Sequence, residues 1–329
     1  MATLKDIAQR AGVTATTVSR VINNRGYISE GTRKKVYAAM EEMHYQPNEL
    51  ARAFSKQYTN TIGLIVPHIS HPFFIKVISN LESSAAEKGF KLLLCNSKEQ
   101  PEKEQDYLDM CISNRVAGIV LCSKYVQTRE FRKMNIPVVN LERGGDDDTI
   151  SVQCDNYQGG KLAAEHLIEC GCKNLLHFGG VAGKDMPADR RADGFSDVCK
   201  KAGIPYRILV SDRLQYGSMH YEDFIRRALQ EFPDVDGIFA SSDLIASQVI
   251  QVGAQMDKHV PEDIQLVGFD DVMISTVTTP QITTIHQPVE EMAELCVEYI
   301  TKSLKNEPVP QKIVLPVRLV QRGTTVLKT

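Results

Sequence analysis

The chain has 329 residues, 43% of them hydrophobic and 24% charged, which is ordinary globular composition with length for two or three domains. Its formal net charge of −3 is unevenly placed: residues 1–60 hold nine Lys/Arg against five Asp/Glu and the remainder 29 against 36, so only the head is suited to a polyanion. No apolar leader and no run of about 18 apolar residues occurs, so secretion and membrane insertion are unsupported and a cytoplasmic protein is expected.

From the N-terminus, Thr3 and Asp6 are spaced as a capping box, and Leu4, Ile7 and Ala8 give the first helix its apolar stripe. Gly12 ends that helix and Thr14 caps the next. There Val18, Val21 and Ile22 fall at i, i+3 and i+4 and face inward, leaving Ala15, Thr16, Ser19, Arg20 and Asn23 outward. Small polar groups and one arginine are poor core material and good material for base edges and phosphates. This is the helix-turn-helix plan, its second helix lying in the major groove of double-stranded DNA. The pattern alone also admits a small three-helix bundle that binds another protein. A third helix starts near Ser29, with Val36, Ala39, Met40 and Met43 on its apolar side, and Pro47 is expected to end it. One short helix follows from Glu49 to Ser55, marginal by itself. Its Leu50, Ala51 and Phe54 share one side; Phe54 suits a wedge between base steps, or Leu50 and Phe54 pack the linker onto the body.

From Thr61 the pattern changes to short apolar runs alternating with helical stretches: "TIGLIVP", "FKLLLCN", "AGIVLCS", "PVVNLE", then "NLLHFGG", "YRILVS", "DGIFASSD" and "IQLVGFDD". That alternation predicts parallel sheets covered on both faces, in an α/β body of two doubly wound lobes. Ligands in such sheets sit at the carboxyl ends of the strands, in a cleft. The eight cysteines stand mostly in apolar contexts, and Cys170-Gly-Cys172 lacks a second pair at zinc-like spacing; reduced thiols are expected, with no metal and no cofactor. Neither G-x-S-x-G, a Walker A motif, H-E-x-x-H nor G-x-G-x-x-G is present, and "FGGVAG" has the spacing of a strand-to-loop turn, so no enzyme is indicated.

Six stretches, "LKDIAQRAGVTATTVSRVIN", "YQPNELARAFSKQ", "DNYQGGKLAAEHL", "DRRADGF", "VGFDD" and "PQITTIHQP", resemble in order, almost end to end, the signatures of the LacI/GalR family of bacterial transcription repressors. The resemblance implies a homodimer that binds a pseudo-palindromic operator through paired heads, and hinge helices that kink the minor groove. It also implies a body like periplasmic sugar-binding proteins that takes a small effector, a sugar, between its lobes. Thr14, Ala15, Thr16, Thr17, Ser19, Arg20 and Asn23 would then serve DNA binding, with Ala51 and Phe54 in the minor groove, where the lever residue is usually Leu.

Arg191 would clamp effector hydroxyls or a carboxylate and Asp270 would supply a cleft carboxylate, with Asp155 and Ser242 lining the same opening. His71, Phe73 and Phe74 follow the first strand, and Tyr216 is a further stacking candidate. The implied domains are 1–46 (helix-turn-helix), 47–60 (hinge helix and linker), 61–156 with 288–316 (N-terminal effector lobe) and 157–287 with 317–329 (C-terminal effector lobe). "VINNRGYISEGTRKKV" and "LLLCNSKEQPEKEQDYLDM" look most like repressors of sucrose and related operons. The alternative is a catabolite-control-type regulator with a protein or purine-like coregulator. The sequence ends without a leucine heptad, so a dimer is expected.

Overall fold

The computed structural model describes residues 2–23, 25–45, 57–123, 125, 136–144, 149–181 and 186–328. The hinge assignments Ala51 and Phe54, with the helix from Glu49 to Ser55, lie outside the described residues. The chain divides into two units, Met1–Asn60 and Thr61–Thr329.

In the first unit α1 (Leu4–Ala11) opens on the expected capping box, the Thr3 N–H donating to Asp6 Oδ2 at 2.7 Å and the Asp6 N–H to Thr3 Oγ1 at 3.4 Å. Gly12, at φ 66°, supplies the left-handed residue that stops it. Thr14 then caps α2 (Ala15–Ile22) by accepting the Thr17 N–H at 3.1 Å. Ser29 caps α3 (Glu30–Glu42) in the same way. Ile7, Val18, Val21 and Val36 are fully buried between the helices, and each stabilises the head by about 1.5–3 kcal/mol relative to exposure. Helix α3 does not run on to Pro47: His44 takes φ 46°, and the Tyr45 N–H donates back to Met40 O at 2.8 Å, closing the end.

The second unit holds two six-stranded sheets. Along the chain come β1 (Thr61–Val66), α4 (Pro72–Glu87), β2 (Lys91–Asn96), α5 (Pro101–Ser113), β3 (Gly118–Leu121), β4 (Val138–Leu141) and β5 (Ile150–Cys154). Then follow α6 (Asn156–Glu169), β6 (Leu175–Val181), α7 (Arg190–Ala202), β7 (Tyr206–Ser211), α8 (Arg213–Ser218), α9 (Glu222–Glu231), β8 (Gly237–Ala240), α10 (Asp243–Gln255) and β9 (Gln265–Asp270). The chain finishes with α11 (Ile274–Val277), β10 (Thr283–His286), α12 (Val289–Leu304), β11 (Lys312–Leu315) and β12 (Arg318–Val320). The first sheet has order β11-β5-β4-β3-β1-β2 and is parallel throughout; the second has order β12-β10-β9-β8-β6-β7 and is parallel except for β10 with β12. The chain passes between the sheets after β5, after β10 and between β11 and β12.

The strands read from the sequence include β3, β4 and β8, buried along their whole length, and also the largely exposed edge strands β2 and β7. Strands β5, β10, β11 and β12 are additional. In β10 the buried threonines are paired rather than apolar: Thr284 Oγ1 donates to Asp243 Oδ1 at 2.6 Å, and the Thr283 and Thr325 hydroxyls lie 2.8 Å apart. All eight cysteines are buried and unpaired. Among the described residues no helix is long and apolar enough to cross a membrane.

Candidate functional site

On the head, the turn between α1 and α2 presents α2 by its outer face. Thr16 and Arg20 are exposed, while Ala15, Thr17, Ser19 and Asn23 are half-buried. Several of the polar groups already have local partners. The Thr14 and Thr17 hydroxyls lie 2.9 Å apart, and Asn23 Nδ2 donates to Ser19 O at 2.9 Å, closing the helix end. Among the described residues the Arg20 guanidinium makes no hydrogen bond, but it is not loose. It lies along Gly26, where an added Cβ would stand 2.8 Å from Arg20 Nη2, and the Arg25 N–H bonds Arg20 O at 2.9 Å. Arg20 and Thr16 are therefore the side chains most available to a base edge.

In the body, the two lobes enclose a cavity of about 140 Å³, with room for on the order of ten waters. About half of its wall comes from residues at or just past the C-terminal ends of parallel strands, among them Ser123 after β3, Glu142 after β4, Ser211 closing β7, Ser241 after β8 and Asp270 closing β9. Parallel strands all end on the same edge of a sheet, so two facing sheets pool their end residues in one cleft.

Arg191 is the centre of this site. It is buried at the start of α7, its Nε donates to Asn156 Oδ1 at 2.7 Å and its Nη1 to Ser241 O at 2.7 Å, and its guanidinium carbon lies 3.5 Å from the centroid of the Phe269 ring. Asn156 is oriented in turn by donating to Glu142 Oε2 at 2.9 Å. Nη2 of Arg191 has no hydrogen-bond partner among the described residues. The seat depends on close packing of α6 on α7. An added Cβ at Gly160 would come within 2.0 Å of Arg191 O, and one at Gly194 within 2.0 Å of Tyr157 O.

Asp270 faces the same space, its Oδ1 accepting from Gln287 Nε2 at 2.6 Å. Burial pushes its carboxyl up to about 7, against the pull of Arg191 and of the Gln287 bond. Its backbone sits at φ 106° and that of Asp271 at 53°, left-handed values that strain a non-glycine residue. On the first lobe His71 caps α4, its Nδ1 accepting the Phe73 N–H at 3.3 Å, and burial, then the His68 and Arg191 charges, push it down to about 4, so it is neutral. Phe73 and Phe74 line the wall beside it. From the second lobe Tyr216 meets the His68 and His71 rings at centroid distances of 5.5 and 6.3 Å.

Three oxygens in this wall are buried without a hydrogen-bond partner among the described residues: Ser123 Oγ, Ser211 Oγ and Gln287 Oε1. Each such group costs about 1–3 kcal/mol, so together they mark a place for a polar guest.

Of the residues named from the sequence, His71, Phe73, Phe74, Arg191, Ser242, Asp270 and Tyr216 all line the cavity. Ser242 does so while capping α10, its Oγ accepting the Ile245 N–H at 3.2 Å. Asp155 is a correction: it does not line the cavity among the described residues, because its Oδ1 turns to its own helix as the N-cap of α6, accepting the Gln158 N–H at 2.9 Å. Ser123, Glu142, Ser211 and Gln287 were missed. The rule that strand ends carry the site points to the first three, and Gln287 stands inside the quoted "PQITTIHQP".

Residues 3–48 match the family model described as bacterial regulatory proteins, lacI family, and residues 164–325 that described as a periplasmic binding protein-like domain. The chain is 33% identical over 326 residues to a ribose operon repressor of Halalkalibacterium halodurans, spanning 99% of this chain and 97% of that one. It is 35% identical over 329 residues to a sucrose operon repressor of Pediococcus pentosaceus, spanning 98% of each. A solved periplasmic binding protein/LacI transcriptional regulator from Alkaliphilus metalliredigens, complexed with D-xylulofuranose, is 32% identical, with a TM-score of 0.74 over 82% of this chain and 100% of that one.

Proposed function

Since the chain belongs to the LacI family of bacterial regulatory proteins, we propose that it is a sugar-responsive repressor of a carbohydrate-utilisation operon, released from its operator when a small sugar enters the cleft of the body. It works as a cytoplasmic homodimer on double-stranded DNA, and it acts by binding rather than by catalysis. The observation that carries the effector half is the meeting, in one cavity, of a seated arginine with an unspent Nη2 and three buried oxygens lacking partners. A polyhydroxylated ring answers such a wall: hydroxyls both donate and accept, and the C–H faces lie against Phe73, Phe74 and Tyr216. The identities of the relatives support the same reading, since their names specify ribose and sucrose operons.

On the head, Thr16 and Arg20 read bases while Thr14, Ala15, Thr17, Ser19 and Asn23 complete or brace the contact surface, with Ala51 and Phe54 assigned to the minor groove. Within the body, Arg191 and Asp270 hold the effector's hydroxyls between His71, Phe73, Phe74 and Ser242. The full chain is to be titrated calorimetrically with ribose, xylulose, fructose, sucrose and their phosphates, beside hypoxanthine as a purine probe, and each binder added to a complex with promoter DNA of the adjacent operon. A sugar that binds and releases DNA supports the reading. Binding of hypoxanthine alone, or binding of a sugar without change in DNA affinity, replaces it.

A further inference from the structure

Lys76 stands outside the cavity wall, in the second turn of α4, and its ammonium donates to the main-chain carbonyl of Asp271 at 2.8 Å. The two ends of this bond belong to different lobes. Helix α4 packs on the first sheet, whereas Asp271 follows β9 of the second. The accepting end is fixed in its own lobe: the Asp271 carboxylate is held by Arg322 Nη2 at 2.6 Å, by the His286 ring at 2.8 Å and by the Ser275 hydroxyl at 3.3 Å. Its neighbour Asp270 is a wall residue, and the start of α4 carries His71, Phe73 and Phe74 into the opposite wall. The bond therefore ties one wall of the cleft to the other. Hydrogen bonds lose their geometry within about 1 Å, so any wider separation of the lobes breaks it.

We propose that Lys76 is a positioning residue whose cross-lobe bond to Asp271 holds the cleft closed and thereby sets effector affinity without touching the effector. The consequence for affinity rests on the reading of the cleft given above; the effect on closure does not. When only the closed form binds, the apparent affinity scales with the closed fraction. A charge-assisted bond at a half-exposed site shifts the closed-to-open ratio by about threefold to tenfold, and the closed fraction follows from that ratio. Acting on closure alone, Lys76 lowers the affinity of every sugar by one common factor, whereas a wall residue changes the ratio between sugars.

The test needs no effector. Cysteines placed at the exposed positions Glu102 and Asp223, one on each lobe, accept a fluorescent donor and acceptor, since the native thiols are buried. Single-molecule transfer is read on the full chain, diluted with unlabelled protein, in the parent and in Lys76→Met and Lys76→Arg. The Met variant is expected to move the closed-to-open ratio threefold to tenfold toward open with the melting temperature unchanged, and Arg, which keeps a charged donor, to restore it. A Met variant with the parent's distribution overturns the proposal. So does an Arg variant as open as Met, because stem packing rather than the bond would then be responsible. If Met lowers the folded yield, Lys76→Gln takes its place with the same two readings.

Discussion

Asp270 carries a carboxyl that burial holds near neutrality in the folded chain, well above its ordinary value of 3.8. Because the folded state binds this proton more tightly, the stability it contributes is full below about pH 4, falls as pH rises toward about 7, and is constant above that. Asp270→Asn, which cannot ionise, is expected to gain melting temperature relative to the parent across that window and to hold a fixed gap above it; thermal melts from pH 4.5 to 8 check this. A hydroxyl donated by the effector would favour the ionised form. Binding near pH 7 should therefore release a fraction of a proton, seen as a calorimetric enthalpy that changes with the buffer's ionisation heat. The orphaned serines make a second case at this scale. In Ser123→Ala and Ser211→Ala an unpaired buried oxygen disappears, so stability should hold or rise slightly, while effector affinity falls about tenfold for each lost bond. Equal affinity in both variants would remove them from the site. Asp155 shows how such reasoning goes astray: an acidic residue just before a helical pattern is as well suited to capping as to a cleft, and here the helix's own N–H groups take it.

At the scale of elements, the seat of Arg191 is a helix-packing problem. Helices α6 and α7 touch through backbone, each glycine of the pair facing a carbonyl of the other helix. Gly160→Ala must push the helices apart, which overpacking data put at about 1–3 kcal/mol and which moves Arg191 with its helix. The variant should melt earlier and lose effector binding together. Gly31→Ala in α3, where nothing lies within 4 Å, serves as the control and should be neutral or stabilising by up to about 1 kcal/mol. The same packing explains what was legible beforehand. Parallel strands buried on both faces announce themselves as apolar runs, and helix starts as Thr or Ser caps, so β3, β4, β8, α1 and α2 stood out. Strand β10 did not: its sequence is TTIH, and its burial is made tolerable by Asp243 and Thr325, partners about 40 residues away that no local window contains. Nor did the Glu142–Asn156–Arg191 chain, which joins three elements only after folding. Arg191 and Asp270 were named through motif resemblance, and the geometry supplies the reason those motifs lie together: "DNYQGG" provides Asn156 and Gly160, "DRRADGF" Arg191 and Gly194, and "VGFDD" the Phe269 ring and Asp270.

For the whole molecule, the function proposed above is a coupling between a head that meets DNA and a body that meets a sugar, so the two must be separable by mutation and joined by thermodynamics. Arg20→Ala should abolish operator binding and leave sugar affinity intact, whereas Arg191→Ala should keep operator binding and lose the response; gel shifts and calorimetry on the same preparations check both. An operator affinity unchanged in Arg20→Ala would withdraw α2 from the recognition role. Linkage then makes a stricter demand on the parent protein. If saturating sugar weakens operator binding by some factor, typically about 5–150-fold, saturating operator must weaken sugar binding by the same factor, because both are one coupling free energy. The operator side is measured at fixed salt, since phosphate contacts make affinity fall steeply with ionic strength. The sugar side is measured on protein held by an excess of operator. Reciprocity holds for any set of conformations at equilibrium, so unequal factors would mean that the two titrations did not compare the same assembly, as when one ligand changes the association of the protomers. Equal factors close the cycle and give one coupling free energy, whose size Lys76, Arg191 and Gly160 can then each be asked to change.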